Sequence, residues 1–230
     1  MIPWPFLLPA LLLPVIGTFL YFITLAGQPA APVVYGVLKL VMVLYPLASA
    51  WLWGRPRPLA ALNTRSTRRT ALLTGLGAGV VMAGGLAAMA YGPLDGLRLT
   101  AAPHIAAKIA EFHCSSLPAY LAMSLALSLA HSAFEEYYWR WFVFGRLRER
   151  LPMPAAHALA GVGFALHHVV VAAVYVGWGW GLVLGAVVGL AGACWSLLYQ
   201  RSGRLVGAWL AHACCDAVLM LIGWQALGGS

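Results

Sequence analysis

Long apolar runs separated by short polar or glycine-rich stretches dominate the chain. About seven of these runs reach the length of roughly 20 residues that an α-helix needs to cross the hydrocarbon core of a bilayer. They lie at roughly 3–26, 33–53, 71–91, 116–146, 155–176, 182–199 and 205–224. A shorter amphipathic stretch lies at 103–112. The pattern therefore predicts an all-α, polytopic transmembrane helical bundle of about seven spans plus a short amphipathic helix.

Composition supports a membrane protein and excludes an ordinary soluble domain. Of the 230 residues, 62% are hydrophobic and only 9% are charged, whereas soluble domains carry about 25% charged residues. The mean hydropathy is +0.84. We expect a single integral-membrane domain over 1–230, with its core motifs at 131–216 and no separate soluble domain. The four cysteines form no CxxC pair, and we interpret them as small core residues rather than as metal ligands or disulfides.

The net charge of +8 has a simple explanation in a membrane protein. Arginines cluster in the loops at 54–70, 146–154 and 200–204, which the seven-span order places on one side of the membrane. Cytoplasmic loops carry an excess of Lys and Arg, so this side is predicted to be cytoplasmic, together with the N-terminus. The partner of this positive charge is then the lipid bilayer, and no nucleic-acid partner is expected.

Two adjacent carboxylates and an arginine interrupt the fourth apolar run. Charged groups within a membrane span are costly and usually face the protein interior. Glu136 and Arg140 are four residues apart, so on a helix they share a face and can neutralise each other. Glu135 lies about 100° around the helix from that pair, which leaves it available as a general base. The alternative is that both glutamates only hold helices together through salt bridges.

Ionisable residues on two further runs are predicted to lie at a depth similar to that of Glu135. His167 and His168 are on the fifth run, and His212 and Asp216 are on the seventh. Counted from the nearest basic loops at 1.5 Å per residue, their depths agree within about 9 Å. His212 and Asp216 are four residues apart and share a face, so Asp216 can orient His212. We therefore expect a polar site inside the bilayer.

Such a set of residues is suited to hydrolysis of an amide without a protein nucleophile. A glutamate facing a histidine can hold and deprotonate a water molecule, and a second histidine can donate a hydrogen bond to the developing oxyanion. The sequence has no HExxH motif, the usual signature of a zinc protease. A zinc site made by His168, His212 and Glu135 remains chemically open, but the expectation is that no metal or other cofactor is used.

Three short motifs resemble those of the CAAX protease and bacteriocin-processing family, the abortive-infection type of intramembrane peptidase. The family pattern is EExxxR, then FxxxH, then HxxxN or a close variant, on separate transmembrane helices. Here Glu135, Glu136 and Arg140 match the first motif; Phe164 and His168 match the second, and His212 matches the third. Asp216 stands where asparagine is usual, and a carboxylate cannot donate a hydrogen bond unless it is protonated.

The resemblance implies a glutamate-dependent intramembrane endopeptidase. Glu135 would be the base that activates water, with His168 as its partner on that water. His212 and Asp216 would stabilise the oxyanion, and Glu136 and Arg140 would be structural. The substrate would be a membrane-anchored protein or peptide tail, as in C-terminal sorting-signal or CAAX-like processing. The small size suits the prokaryotic branch, and thus a bacterial inner membrane.

Two other functions fit the same residues. A non-enzymatic bacteriocin immunity or binding protein could keep this fold, although the intact Glu135, His168 and His212 favour an enzyme. A proton-coupled transporter also uses intramembrane Glu and His residues, but the chain has no obvious inverted repeat.

Overall fold

A computed structural model describes residues 2–57 and 67–228, so the middle of the predicted basic loop at 54–70 lies outside the described residues. The described part is built of helices and contains no strand. In chain order, the helices are α1 (Trp4–Phe19, continued by a π-helical turn at Leu20–Thr24), α2 (Ala30–Trp53), α3 (Arg68–Ala90), α4 (Asp95–Glu111), α5 (Leu117–Leu147), α6 (153–176), α7 (178–202) and α8 (Leu205–Ala226).

The apolar segment Met153–Ser202 is two membrane-spanning helices rather than one. It reverses at Gly177, whose φ of 80° is accessible to glycine without strain. The two halves then pack side by side, and a methyl group added to Gly181 would lie only 2.9 Å from the Cα of Ala173. Together with α1, α2, α3, α5 and α8, the described residues thus contain seven helices that are long and apolar enough to span a membrane, once Met153–Ser202 is divided at Gly177. The prediction of about seven spans is confirmed.

Two predicted helix boundaries were wrong. The sixth span begins directly after Gly177 and not near 182, because one glycine suffices for the reversal and the tryptophans that follow are helical. The amphipathic helix α4 begins at Asp95 and not near Pro103. An ion pair of 2.7 Å between Asp95 and Arg98 stabilises its first turn, and Pro103 is accommodated inside the helix.

Helices α3 and α8 pack with almost no side chain between them. A methyl group on Gly75 would lie 2.5 Å from the Cα of Gly207, and one on Gly79 would lie 2.9 Å from the Cα of Ala211. Gly75 and Gly79 stand four residues apart, a spacing that predicts the close approach of a neighbouring helix, and α8 makes this approach. This contact fixes α8, the helix that carries His212.

Helix α5 is continuous from Leu117 to Leu147, as predicted, but its pitch changes along its length. Two π-helical segments, Ala126–His131 and Tyr137–Phe144, enclose a short α-helical piece, Ser132–Glu136. Such widened turns are rare in helices and occur often at functional sites. Both glutamates lie in the short piece between them.

Candidate active site

Glu136 connects two helices through its carboxylate. Its Oε1 lies 2.9 Å from Nη1 of Arg140 on the same helix and 2.8 Å from Nδ1 of His212 on α8. All three side chains are buried, with exposed fractions of 1–3%. The predicted pair of Glu136 and Arg140 is therefore present. Because a buried ion pair needs further hydrogen bonds to offset its desolvation, the contact with His212 also stabilises it.

Arg140 is enclosed by aromatic rings and a carbonyl from α6 and α7. Its guanidinium carbon lies 4.5 Å from the ring centre of Phe164 and 5.1 Å from that of Trp195. Its Nη2 donates to the Gly192 carbonyl at 3.0 Å. A side chain at Gly192 would meet Phe164 at 2.8 Å, so glycine makes room for the arginine. The cation is thereby held in one position.

Glu135 lies beside three imidazole rings. Its Oε1 is 3.3 Å from Nε2 of His167 and 3.4 Å from Nε2 of His131, and its Oε2 is 3.7 Å from Nε2 of His212. The residue is 3% exposed. The carboxylate is thus surrounded by groups that favour its charged form. Ionisable side chains of α5, α6 and α8 are therefore close together in the structure.

His168, the predicted partner of Glu135 on the water, also lies at this site. Its Nδ1 is 2.9 Å from the Phe164 carbonyl oxygen. A carbonyl only accepts hydrogen bonds, so Nδ1 carries the proton, and Nε2 of the neutral ring keeps its lone pair. Ligand atoms of Glu135, His167 and His168 lie within 4.8 Å of one another. Among the described residues, these three, rather than the set with His212 that the sequence leaves open, form a group suited to a metal ion.

The orientation of His212 follows from its two ring nitrogens. Because Nδ1 faces the ionised carboxylate of Glu136, it must donate its proton there. The ring stacks on Trp195, with centroids 4.1 Å apart and an angle of 15° between planes. This arrangement turns Nε2 towards Glu135. The hydrogen bond to Glu136 and the stacking on Trp195 therefore fix the orientation of the His212 ring.

Asp216 occupies a different position from the one expected. The sequence predicts that it orients His212, but the group hydrogen-bonded to that ring is Glu136. Asp216 Oδ1 lies 3.6 Å from Nε2 of His212, too far for a hydrogen bond, and its side chain is 18% exposed. It faces the same nitrogen as Glu135 does. The reason is that Nδ1 of His212 is already bound by Glu136 of α5.

Two further residues of the site, His167 and His131, do not belong to the three motifs. The FxxxH spacing selects His168, but Nε2 of His167 also contacts the Glu135 carboxylate, at 3.3 Å. The ring of His167 lies parallel to that of Trp139. Both of its nitrogens are buried without a hydrogen-bond partner among the described residues. His131 contacts Glu135 across one helical turn. The i, i+4 spacing places His131 on the same helix face as Glu135. No pattern in the sequence shows whether His167 or His168 faces Glu135.

Comparison with known proteins identifies the same segment. Residues 117–218, which contain α5 to α8 up to Val218, match the family model described as "Type II CAAX prenyl endopeptidase Rce1-like". No curated protein and no solved structure gives a match. The matched segment contains all three motifs and every residue of the site described above. The resemblance seen in the sequence is confirmed: residues 117–218, somewhat under half of the chain, are similar to the Rce1-like type II CAAX prenyl endopeptidases.

Proposed function

We propose that this protein is a glutamate-dependent intramembrane endopeptidase that hydrolyses a peptide bond in a membrane-anchored protein or peptide tail. The observation that carries the proposal is the position of Glu135. A carboxylate buried beside three imidazoles within an apolar helical bundle is energetically costly, and ionisable groups inside membrane spans usually mark a functional site. The similarity of residues 117–218 to an endopeptidase family supports peptide-bond hydrolysis as that function.

In the first step, Glu135 acts as a general base. Its carboxylate takes a proton from a water molecule as the water oxygen attacks the carbonyl carbon of the scissile bond. The free Nε2 lone pair of His168 accepts the second hydrogen of this water and so orients it. The carbonyl oxygen becomes the oxyanion of a tetrahedral intermediate.

In the second step, His212 stabilises the oxyanion and Glu135 returns the proton. With Nδ1 bound to Glu136, a protonated His212 can donate a hydrogen bond from Nε2 into the site. Asp216 and Glu135 both face this nitrogen and favour the charged ring. The C–N bond then breaks, and the proton held by Glu135 passes to the departing amine.

We place the basic loops and the N-terminus in the cytoplasm of a bacterium, with the protein in the inner membrane. The contacts between two of these loops support their lying at one end of the bundle. The Arg57 backbone N–H donates to Glu149 at 2.7 Å, and the Arg148 side chain donates to the Arg57 carbonyl. Arginine-rich loops that meet at one end agree with a single cytoplasmic face.

The proposal is tested with purified protein and a synthetic peptide that has one apolar helix followed by a short C-terminal tail. Mass spectrometry would detect the cleavage products. Wild-type protein should cleave the tail, and Glu135→Gln should not. The matched control is Glu111→Gln on α4, where the side chain is 59% exposed and distant in sequence from the site. Equal cleavage by wild type and Glu135→Gln would refute the proposal.

A zinc-dependent version of the same reaction has a specific observation in its favour. Glu135, His167 and His168 could together ligate one ion, and zinc sites of proteases use such a mixture of imidazole and carboxylate. The two versions differ in their response to chelators. Cleavage that survives exhaustive chelation supports the glutamate mechanism. Cleavage lost on chelation and restored by zinc supports the metal mechanism, and His167→Ala should then lose zinc as well.

A further inference from the structure

A cavity of about 560 Å³ lies at the end of the helical bundle opposite the arginine-rich loops. Helix α1 begins at Trp4, whose ring centre lies 5.6 Å from the guanidinium carbon of Arg150 in a basic loop, so α1 ends at the opposite face. The cavity is formed there by the last turns of α1 and α6, the turn into α2 and one face of α4. Its volume is within the range of about 300–1,000 Å³ that is usual for ligand sites.

The wall formed by α4 is polar and carries both signs of charge. His104, Lys108 and Glu111 line the cavity, and their spacing places them on one face of the helix. Nζ of Lys108 donates to both carboxylate oxygens of Glu111, at 2.8 and 3.0 Å. The Glu111 side chain is nevertheless 59% exposed, so its oxygens can accept further hydrogen bonds.

Lys108 stays charged in this position. Burial by itself lowers the pKa of its ammonium group, but the hydrogen bonds to Glu111 outweigh burial, and the pKa lies above its ordinary value. The lining of α4 therefore presents a fixed cation and a fixed anion side by side.

Aromatic rings form much of the remaining lining. The ring centres of Tyr21 and Phe22, near the end of α1, lie 4.7 and 5.4 Å from Nζ of Lys108. Tyr175, from the last turn of α6, also lines the cavity. Aromatic residues at the ends of membrane spans are typical of the level of the lipid headgroups. The cavity thus combines a cation, a carboxylate and aromatic rings at this level.

The charges of the lining indicate which ligand fits. The charges of Lys108 and Glu111 cancel, so the cavity favours neither a net anion nor a net cation. A ligand with one phosphate and one ammonium group complements both residues. The phosphate is attracted by Lys108 and accepts a hydrogen bond from His104, while the ammonium donates to Glu111 and lies against the aromatic rings. Phospholipid headgroups carry such pairs of charges, and they lie at the depth of the cavity.

We propose that this cavity binds the headgroup of a zwitterionic phospholipid that has a phosphate and a primary ammonium group, as in phosphatidylethanolamine. The acyl chains then lie along the apolar surface beside the cavity, where Ile23 and Val174 are exposed. The lining comes from α1, α2, α4 and α6, whereas Glu135 is on α5. The lipid site is therefore separate from the proposed hydrolysis, and it stands or fails independently of it.

The test titrates purified protein in an uncharged detergent by isothermal titration calorimetry with three probes. These are short-chain phosphatidylethanolamine, short-chain phosphatidylglycerol, which lacks the ammonium group, and free phosphoethanolamine, which lacks the acyl chains. Wild type should bind one equivalent of phosphatidylethanolamine, about tenfold more tightly than phosphatidylglycerol, as expected for one additional charge-assisted hydrogen bond. It should bind phosphoethanolamine at least about tenfold more weakly than the lipid, because the acyl chains add apolar contacts.

Variants of α4 assign the binding to this cavity. Glu111→Gln should abolish the preference for phosphatidylethanolamine over phosphatidylglycerol. The double variant Lys108→Met/Glu111→Gln removes both charges and should bind each lipid about tenfold more weakly than wild type binds phosphatidylethanolamine. The matched control is Asp95→Asn/Arg98→Met, which removes an ion pair of 2.7 Å and the same spacing at the other end of α4, and it should bind as wild type does. Since partly exposed ion pairs add little stability, all these variants should unfold within a few degrees of wild type in lipid-free detergent.

Four results would overturn the inference. The first is equal affinity of wild type for the two lipids, including no binding of either. The second is a preference for phosphatidylethanolamine that survives in Glu111→Gln. The third is phosphoethanolamine bound as tightly as the lipid, which would identify a soluble zwitterion as the ligand. The fourth is displacement of the bound lipid by the helical peptide used for cleavage, which would make the cavity part of the substrate site.

Discussion

His212 on α8 and Glu136 on α5 are joined by a buried hydrogen bond of 2.8 Å between Nδ1 and Oε1. The bond makes Glu136 more than the structural partner of Arg140. It fixes the tautomer of the imidazole and directs the other nitrogen towards Glu135. The two adjacent glutamates thus have separate roles: one orients a histidine, and the other is left for the proposed chemistry.

Glu135→Gln should lower kcat by about 10²- to 10⁴-fold, because a general base contributes a factor of this size. The amide has a similar volume, so the thermal stability of the protein should not fall below that of wild type by more than a few degrees. The measurements are cleavage of the helical peptide and thermal unfolding in detergent. Normal stability with abolished cleavage is the expected result, and a fully active variant would contradict it.

Removing one member of the Glu136–Arg140 pair should destabilise the protein. Glu136→Gln or Arg140→Met leaves a buried charge without its partner, which costs about 3–5 kcal/mol. The double variant removes both charges and should be destabilised by less than the sum of the single effects. The melting temperatures of the three variants would form a double-mutant cycle. Additive losses would show that the pair is not coupled.

Asp216→Asn should retain cleavage, with kcat/KM within about tenfold of the wild-type value. Asp216 makes no hydrogen bond to His212, and an amide of the same shape preserves its packing. The gain or loss of one neutral hydrogen bond changes the activation free energy by about 0.5–1.5 kcal/mol. This corresponds to a change in kcat/KM of up to about tenfold. Asparagine is also the usual residue of the third motif. Asp216→Leu, which removes the polar group, is the informative comparison and should be less active.

Gly75→Ala should destabilise the protein by about 1–3 kcal/mol through overpacking. The new methyl group would meet the Gly207 backbone and displace α8, together with His212. Cleavage should therefore decline along with the melting temperature. The control is Gly36→Ala on α2, where a methyl group has no atom within 4 Å. That variant should unfold at or slightly above the wild-type temperature, because alanine favours a helix over glycine.

The sequence by itself determined the features that depend on spacing along one helix. The number of spans follows from apolar length, and the pairs Glu136–Arg140 and His131–Glu135 follow from the four-residue period of a helix. The four-residue spacing of Gly75 and Gly79 on α3 similarly indicates a surface for close helix packing. The family resemblance also needed only motif order. The catalytic roles assigned to Glu135, His168, His212 and Asp216 remain predictions.

Only the tertiary structure decided which groups from different helices meet. The rotation and depth of each helix depend on packing, and no local pattern fixes them to within the few ångströms that separate a hydrogen bond from no contact. For that reason, the sequence did not identify Glu136 as the partner of His212, or place His167 next to Glu135.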